Sequence, residues 1–254
     1  LSFTGSTDVG KRLLREAADN VLRTSMELGG CAPFIVFGDA DLDRAVAAAK
    51  SAKLRNMGEA CNAANRFYVS RELVDEFAAR LAAEFEGLVV GDGLDPATDI
   101  GPIITSGQRQ RIRGLVEGAR ERGARVLTGG EDVTGPGYFY RPTVLTVTDP
   151  GEPVICEELF GPVAPVVPFD SEEQVLAWAN SSPVGLAAYV HTGDIDRALR
   201  MSERLEVGMT GINSAAISNP AAPFGGVKHS GLGREGGSEG IAEYLETIYV
   251  GIPV

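Results

Sequence analysis

The sequence is poor in the residues that build disulfide scaffolds and metal sites. Its 254 residues include three cysteines and two histidines. Three cysteines cannot all pair, so Cys31, Cys61 and Cys156 are expected to be reduced thiols, which predicts a cytoplasmic protein. Neither His191 nor His229 has metal-ligand spacing to a cysteine, so no metal is expected.

Basic residues and long apolar runs are also scarce. The 23 lysines and arginines are outnumbered by 35 acidic residues, which gives a net charge of −12. Binding to nucleic acid requires basic side chains that neutralise phosphates, so no nucleic-acid partner is expected. No apolar run reaches the roughly 18 residues of a membrane-spanning helix, so no membrane partner is expected either. The composition, with 44% apolar and 23% charged residues, is typical of a globular protein.

The first residues lack an initiator methionine and any pattern of a signal peptide. Leu1–Gly5 instead resembles the end of an apolar strand that runs directly into a Gly-Ser-Thr turn. We therefore expect the 254 residues to be part of a longer polypeptide.

Strand-like and helix-like segments alternate along most of the chain. Apolar residues with helical spacing and good capping residues predict helices over 9–26, 42–56, 72–86, 106–123, 172–180 and 195–205. Short apolar runs predict strands over 33–37, 66–70, 124–128, 163–168, 186–191 and 207–213. A hairpin-like region is expected over 129–148, and a last strand over 247–252. This alternation predicts an α/β fold with a parallel sheet covered by helices.

Cys61 and Glu27 are candidate catalytic residues. Cys61 lies between a predicted helix and a predicted strand, where backbone dipoles and a nearby base can activate a thiol. The alternative is a small buried hydrophobic residue. Glu27 has apolar neighbours and is followed by Gly29 and Gly30, and burial there would raise its pKa towards that of a general base. The alternative is a helix end with a glycine cap.

Two further segments have features of nucleotide binding. Phe3–Gly10 ends a strand and begins a helix, whose free amides favour anions such as a pyrophosphate. Any tight strand-to-helix turn could look the same. Cys156–Pro162 combines carboxylates, which can bind ribose hydroxyls, with an aromatic ring that can pack beside a flat ring. A solvated acidic loop with one buried aromatic residue is the alternative.

Taken together, these segments resemble the aldehyde dehydrogenase superfamily, in the family order and from Leu1 to the C-terminus. The matching strings are Phe3–Thr7, Glu27–Gly30, Gly58–Cys61, Glu157–Pro162 and Pro223–Lys228. Three more strings, Leu54–Asn56, Ile217–Asn219 and Ser230–Gly236, resemble the succinate-semialdehyde dehydrogenase branch.

The resemblance implies the parallel, helix-covered sheet of the family's catalytic domain with a remnant of its Rossmann-like cofactor domain. Residues 1–29 would be the remnant of the NAD(P)-binding domain, and residues 30–229 the catalytic domain. Residues 230–254 would form a C-terminal tail with an oligomerisation strand, which implies a homo-oligomer. The first half of family chains supplies most of the cofactor site and an oxyanion donor, so the 254 residues alone are expected to be inactive or nearly so.

The resemblance also implies a reaction. Cys61 would attack a small aldehyde as a thiolate, a hydride would pass to NAD or NADP, and Glu27 would activate the thiol or the hydrolytic water. The implied cofactor-binding residues are Ser6, Thr7, Leu28, Glu158 and Phe160. Arg55 and Ser218 would hold the distal carboxylate of succinate semialdehyde, a role that suits the planar fork of arginine.

Two positions depart from the family pattern. Glu59 replaces a residue that is usually glutamine, and its charge is expected to raise the pKa of Cys61. Ala63 stands where some relatives carry a second cysteine, so their redox-switch disulfide is not expected. Two other functions stay open, a cofactor-free esterase and a non-catalytic structural fragment, and alkylation of Cys61 would separate a reactive thiol from an inert one.

Overall fold

The computed structural model describes residues 1–253 and confirms the α/β fold. The strands are β1 (Ser2–Thr4), β2 (Ser25–Glu27), β3 (Ala32–Val36), β4 (Ala64–Ser70), β5 (Arg125–Thr128), β6 (Thr143–Thr146), β7 (Val163–Phe169), β8 (Val184–Gly185), β9 (Ala187–His191), β10 (Met209–Ile212), β11 (Val227–Lys228) and β12 (Gly231–Leu232). The helices are α1 (Thr7–Ala18), α2 (Leu42–Leu54), α3 (Val74–Glu86), α4 (Ser106–Glu121), α5 (Pro153–Cys156), α6 (Glu172–Asn180), α7 (Ile195–Arg204) and α8 (Gly237–Ala242). Within residues 1–253, no helix has the length and apolar character needed to cross a membrane.

Seven strands form the main sheet in the order β10-β9-β3-β4-β7-β6-β5. All neighbours are parallel except β5, which pairs antiparallel with β6 and closes the predicted hairpin-like region. Every residue of β3 is buried, as expected for a strand covered on both faces. Phe34 of β3 packs its ring near those of Phe67 in β4 and Phe77 in α3. This apolar core fixes the position of the turn that precedes β4.

A second, small sheet has the order β1-β2-β12. β1 is parallel to β2, and β12 runs antiparallel on the other side of β2. Gly231 pairs with Glu27, so a segment near the C-terminus lies directly beside the candidate base. The strand β2 is therefore held from both sides by parts of the chain that are far apart in sequence.

Two predicted elements are wrong. The helix predicted over 9–26 ends at Ala18, and Ser25–Glu27 is the strand β2, because its backbone pairs with β1 and β12. The predicted strand over 247–252 is absent, since no strand among residues 1–253 pairs with it and its apolar side chains are exposed. Apolar spacing indicates burial but does not reveal whether a partner strand is present.

Candidate functional site

Four separate segments meet around a cleft of about 650 Å³. They are the start of α1, the end of β2, the turn before β4 and the loop after α5, with α4 completing the wall. Six of the predicted catalytic and cofactor-binding residues line this cleft: Ser6, Glu27, Leu28, Cys61, Glu158 and Phe160. The fold thus brings a thiol, two carboxyl groups and an aromatic ring together.

Cys61 lies after a tight turn over Arg55–Gly58 at the end of α2. Gly58 adopts a φ of +75°, and a Cβ there would lie 2.4 Å from the carbonyl oxygen of Gly161, so only glycine fits. The thiol is half-buried, and burial raises its pKa. The charge of Glu27 raises this pKa further, whereas backbone N–H groups at Cys61 and Asn62 oppose the rise. The thiol is therefore mainly protonated at neutral pH.

Glu27 at the end of β2 is an unpaired buried carboxyl group. It is 4% exposed, and neither carboxyl oxygen has a hydrogen-bond partner. Burial, reinforced by the charge of Glu235 and opposed by that of Arg234, raises the pKa of Glu27 to about 7. A group with this pKa can accept or release a proton near neutrality, which is the property of a general base.

Glu158 occupies a niche made by the two glycines that follow Leu28. Its Oε1 accepts a hydrogen bond from the backbone N–H of Gly30 at 3.0 Å. A Cβ on Gly29 would lie 2.8 Å from the Glu158 Oε2. Burial raises the pKa of Glu158, whereas the hydrogen bond from Gly30 lowers it. This carboxylate faces the cleft as a hydrogen-bond acceptor for a ligand.

Replacement of Gly30 by alanine is expected to destabilise the protein by about 1–3 kcal/mol, because the new Cβ would lie 2.2 Å from the backbone oxygen of Cys61. The backbone cannot move aside without displacing the turn that carries Cys61. The matched control is Gly114→Ala inside α4, where nothing lies within 4 Å and helix propensity favours alanine by about 1 kcal/mol. Urea denaturation measures both variants; equal stability changes would contradict the tight contact.

Ser6 and Thr7, two of the predicted cofactor-binding residues, differ in position. Ser6 is the N-cap of α1, where its Oγ accepts from the Val9 N–H at 3.5 Å, and it lines the cleft. The Thr7 Oγ1 donates to the carbonyl oxygen of His229 at 3.3 Å, and Thr7 does not line the cleft. Only Ser6 is thus presented to a ligand in this arrangement.

The predicted substrate residues Arg55 and Ser218 do not line the cleft, but Ser218 contacts Asn62, which follows Cys61. The Asn62 side chain donates to the Ser218 Oγ at 3.1 Å. The Asn62 carbonyl oxygen accepts a hydrogen bond from the Tyr189 hydroxyl at 2.7 Å. The positive charge of Arg55 lowers the pKa of this tyrosine, against the larger effect of burial. Ser218 is thus joined to the residue after Cys61, whereas Arg55 is linked to this region by its charge alone.

Glu59 is not one of the carboxylates that contribute most to the raised pKa of Cys61. Its Oε1 accepts from the Ile104 N–H at 3.0 Å and so ties the turn to the loop before α4. The carboxylates that raise the pKa of Cys61 are instead Glu27 and, to a smaller extent, Glu158.

Sequence reasoning missed two polar residues of the cleft wall, Gln108 and Arg111 on α4. It also missed Lys53, which is fully buried, donates to the Asn65 Oδ1 at 2.8 Å and has a pKa lowered to about 7 by burial. Polar residues on a helix are usually solvent-exposed, so nothing in the local pattern distinguished these three. Within residues 1–253, no cluster of His, Cys, Asp or Glu has the grouping of a metal site.

Comparisons with known proteins agree with this geometry. The family model described as "Aldehyde dehydrogenase family" matches residues 1–250. A succinate-semialdehyde dehydrogenase from Paenarthrobacter nicotinovorans is 57% identical over 99% of this chain and 56% of its own length. The crystal structure of an aldehyde dehydrogenase from Brucella melitensis biovar abortus superposes with a TM-score of 0.96 at 51% identity, over 98% of this chain and 51% of that one.

An NAD+ complex of an aldehyde dehydrogenase from Bacillus cereus superposes with a TM-score of 0.93 at 38% identity, over 96% of this chain and 50% of that one. The chain therefore spans about half the length of the relatives it matches. The family model covers nearly all of its residues, and the fold and the resembling strings agree with that match. The chain belongs to the aldehyde dehydrogenase family.

Proposed function

We propose that this protein oxidises an aldehyde to a carboxylic acid with NAD or NADP, through a covalent adduct on Cys61. The observation that carries the proposal is the shared cleft, which brings Cys61 and Glu27 together with Glu158 and Phe160. The names of the similar proteins support the class of reaction, and the NAD+ complex of one of them supports the cofactor. The same activity requires a nucleophile, a base and a ligand cleft, and Cys61, Glu27 and the shared cleft are suited to these roles.

The residues of the cleft fit part of a nicotinamide dinucleotide. Glu158 is a half-buried acceptor suited to ribose hydroxyls, Phe160 and Leu28 offer apolar contacts, and Ser6 lies at the N-terminus of α1, where anions are favoured. Thr7 would support this region through α1. When bound, the cofactor accepts the hydride that leaves the substrate carbon.

Cys61 forms the covalent bond in this mechanism. Its thiolate adds to the aldehyde carbon, loss of hydride from that carbon leaves a thioester, and water then releases the acid and the free thiol. The pKa of Glu27 is about 7, whereas burial raises that of Cys61, so a proton does not pass spontaneously from the thiol to Glu27. Glu27 is therefore better suited to activate the hydrolytic water than to hold a resting thiolate.

We assign succinate semialdehyde as the substrate. Arg55 and Ser218 would hold its distal carboxylate, which is supported by the hydrogen bond between Ser218 and Asn62 and by the charge of Arg55, which acts on Tyr189. The planar guanidinium matches a carboxylate, and the serine hydroxyl adds a neutral donor. The domain assignment of 1–29, 30–229 and 230–254 and a homo-oligomeric state belong to the same proposal.

The 254-residue chain is expected to oxidise succinate semialdehyde at least about a hundredfold more slowly than the typical enzyme turnover of about 10 s⁻¹, because it spans half the length of its relatives. The formation of NADH or NADPH on addition of the aldehyde measures this slow reaction. Cys61→Ser should abolish it, whereas Cys156→Ser, at an exposed thiol, should leave it unchanged.

Four outcomes would contradict parts of the proposal. Cofactor reduction that survives Cys61→Ser would exclude the covalent mechanism. Turnover near 10 s⁻¹ would exclude the slow-fragment expectation. Hydrolysis of activated esters that depends on Cys61, with no cofactor reduction at any enzyme concentration, would favour the esterase, and an inert Cys61 would favour a structural fragment.

A further inference from the structure

The segment Glu158–Phe160 carries two of the proposed cofactor residues but has no regular secondary structure. Phe160 has a φ of 47°, in the left-handed region that costs a non-glycine residue conformational energy. A short segment that contains such a residue keeps its shape only when surrounding groups hold it. The source of that support decides where the Glu158 carboxylate and the Phe160 ring are placed.

One face of α4 supplies this support. The Gln108 Nε2 donates to the carbonyl oxygens of Leu159 at 2.8 Å and Phe160 at 2.9 Å. The Arg111 guanidinium donates to the carbonyl oxygen of Glu158 at 2.9 Å. Its other terminal nitrogen pairs with the Glu157 carboxylate at 2.8 Å. Within residues 1–253, the carbonyl oxygens of the segment accept hydrogen bonds from these two side chains alone.

The start of α4 determines which side chains form this face. Thr105 caps the helix by accepting the Gln108 N–H at 3.1 Å. Gln108, Arg111 and Ile112 follow at helical spacing and therefore share one side of the helix. Ile112 contacts Gly161 so closely that a Cβ on that glycine would lie 2.2 Å from the Ile112 Cδ1. Both the segment and the glycine after it thus rest on α4.

The same segment contacts the loops that carry the rest of the cleft. The Glu158 Oε1 accepts from the Gly30 N–H at 3.0 Å, and the Gly161 carbonyl oxygen packs against Gly58 in the turn before Cys61. Both hydrogens of the Gln108 amide are used on main-chain oxygens, so this side chain fixes a backbone shape. A change at Gln108 is transmitted directly to the position of Glu158.

We propose that Gln108 and Arg111 are positioning residues that hold Glu158–Phe160 in the shape required to bind a nicotinamide nucleotide. The nucleotide ligand rests on the proposed function, whereas the support of Glu158–Phe160 by Gln108 and Arg111 does not. The experiment therefore has one arm without a ligand and one with NAD+.

The first arm measures hydrogen exchange of the Gly30 amide, which reports on the Glu158 carboxylate. Gln108→Glu keeps the shape of the side chain but removes both donors, so exchange of Gly30 should accelerate about tenfold. The matched control is Gln110→Glu on an exposed part of the same helix, where the lost bond is to the Ser106 Oγ. Gln108→Leu, which adds no charge, should behave like Gln108→Glu. An unchanged exchange rate of the Gly30 amide in both Gln108 variants would show that Gln108 does not hold Glu158–Phe160 in place.

The second arm measures the dissociation constant for NAD+ by calorimetry. Both Gln108 variants should weaken NAD+ binding about tenfold. Arg111→Lys keeps the positive charge but loses the two-pronged guanidinium group, and it should weaken NAD+ binding less. Both Gln108 variants should keep a single cooperative thermal unfolding transition, which a general loss of structure would not allow. An equal loss of affinity in Gln110→Glu would overturn the positioning role. If the unmodified chain binds no NAD+, the cofactor assignment fails. The exchange experiment still tests whether Gln108 supports Glu158–Phe160.

Discussion

Glu27→Gln is expected to stabilise the protein by about 3 kcal/mol at pH 8 and to have almost no effect at pH 4. The pKa of Glu27 is raised to about 7 from an ordinary value of 4.5. Between these two values the unfolded chain releases a proton that the folded chain retains, so the free energy of unfolding falls as pH rises. Above pH 7 both states are ionised, and the loss becomes constant. A glutamine side chain does not titrate and avoids this loss.

Urea denaturation at pH 4, 6 and 8 measures the difference between the two proteins. All other titrating groups are shared, so only the contribution of residue 27 remains in the difference. The matched control is Glu203→Gln on α7, an exposed residue for which a change within about 0.5 kcal/mol is expected at each pH. A stabilisation by Glu27→Gln that is the same at pH 4 and pH 8 would show that Glu27 is not a buried acid with a raised pKa.

Much of the fold could be predicted because burial leaves a direct pattern in the sequence. The continuous apolar run at 33–37 predicted β3, and the residues are buried on both faces as expected. The capping chemistry of Asp39–Asp43 marked the start of α2, where Asp41 accepts a backbone N–H. These elements depend on local chemistry that a few neighbouring residues determine.

The parts that could not be predicted depend on contacts between distant segments. β2 is a strand because it pairs with β1 and with β12, more than 200 residues away, and its own three residues carry no strand signal. The raised pKa of Glu27 was expected from its apolar neighbours, but the contributions of Arg234 and Glu235 follow only from this pairing. Gln108 and Arg111 were missed for the same reason, because their partners lie on a loop about 50 residues away.

Alkylation of Cys61 by iodoacetamide is expected to respond to Glu27→Gln only above pH 7. Glu27 carries a charge only above its pKa of about 7, and that charge raises the pKa of the Cys61 thiol. The variant should therefore react several-fold faster than the unmodified protein at pH 8.5 and at the same rate at pH 6. In the variant the rate should rise about tenfold per pH unit in this range, because only the thiolate reacts, whereas in the unmodified protein the rise should be less steep as Glu27 ionises.

Mass spectrometry of quenched samples follows the three thiols separately, and Cys61→Ser identifies the peptide that carries the signal. Exposed Cys156 is the internal reference for reagent concentration, and buried Cys31 should react most slowly. If Glu27→Gln slowed the alkylation at pH 8.5, Glu27 would be removing the thiol proton directly. The two outcomes therefore distinguish a base that generates the nucleophile from one that acts later on water. The pKa order on which this distinction rests is set by the burial of both groups in one cleft, with the carboxyl group the stronger acid of the pair.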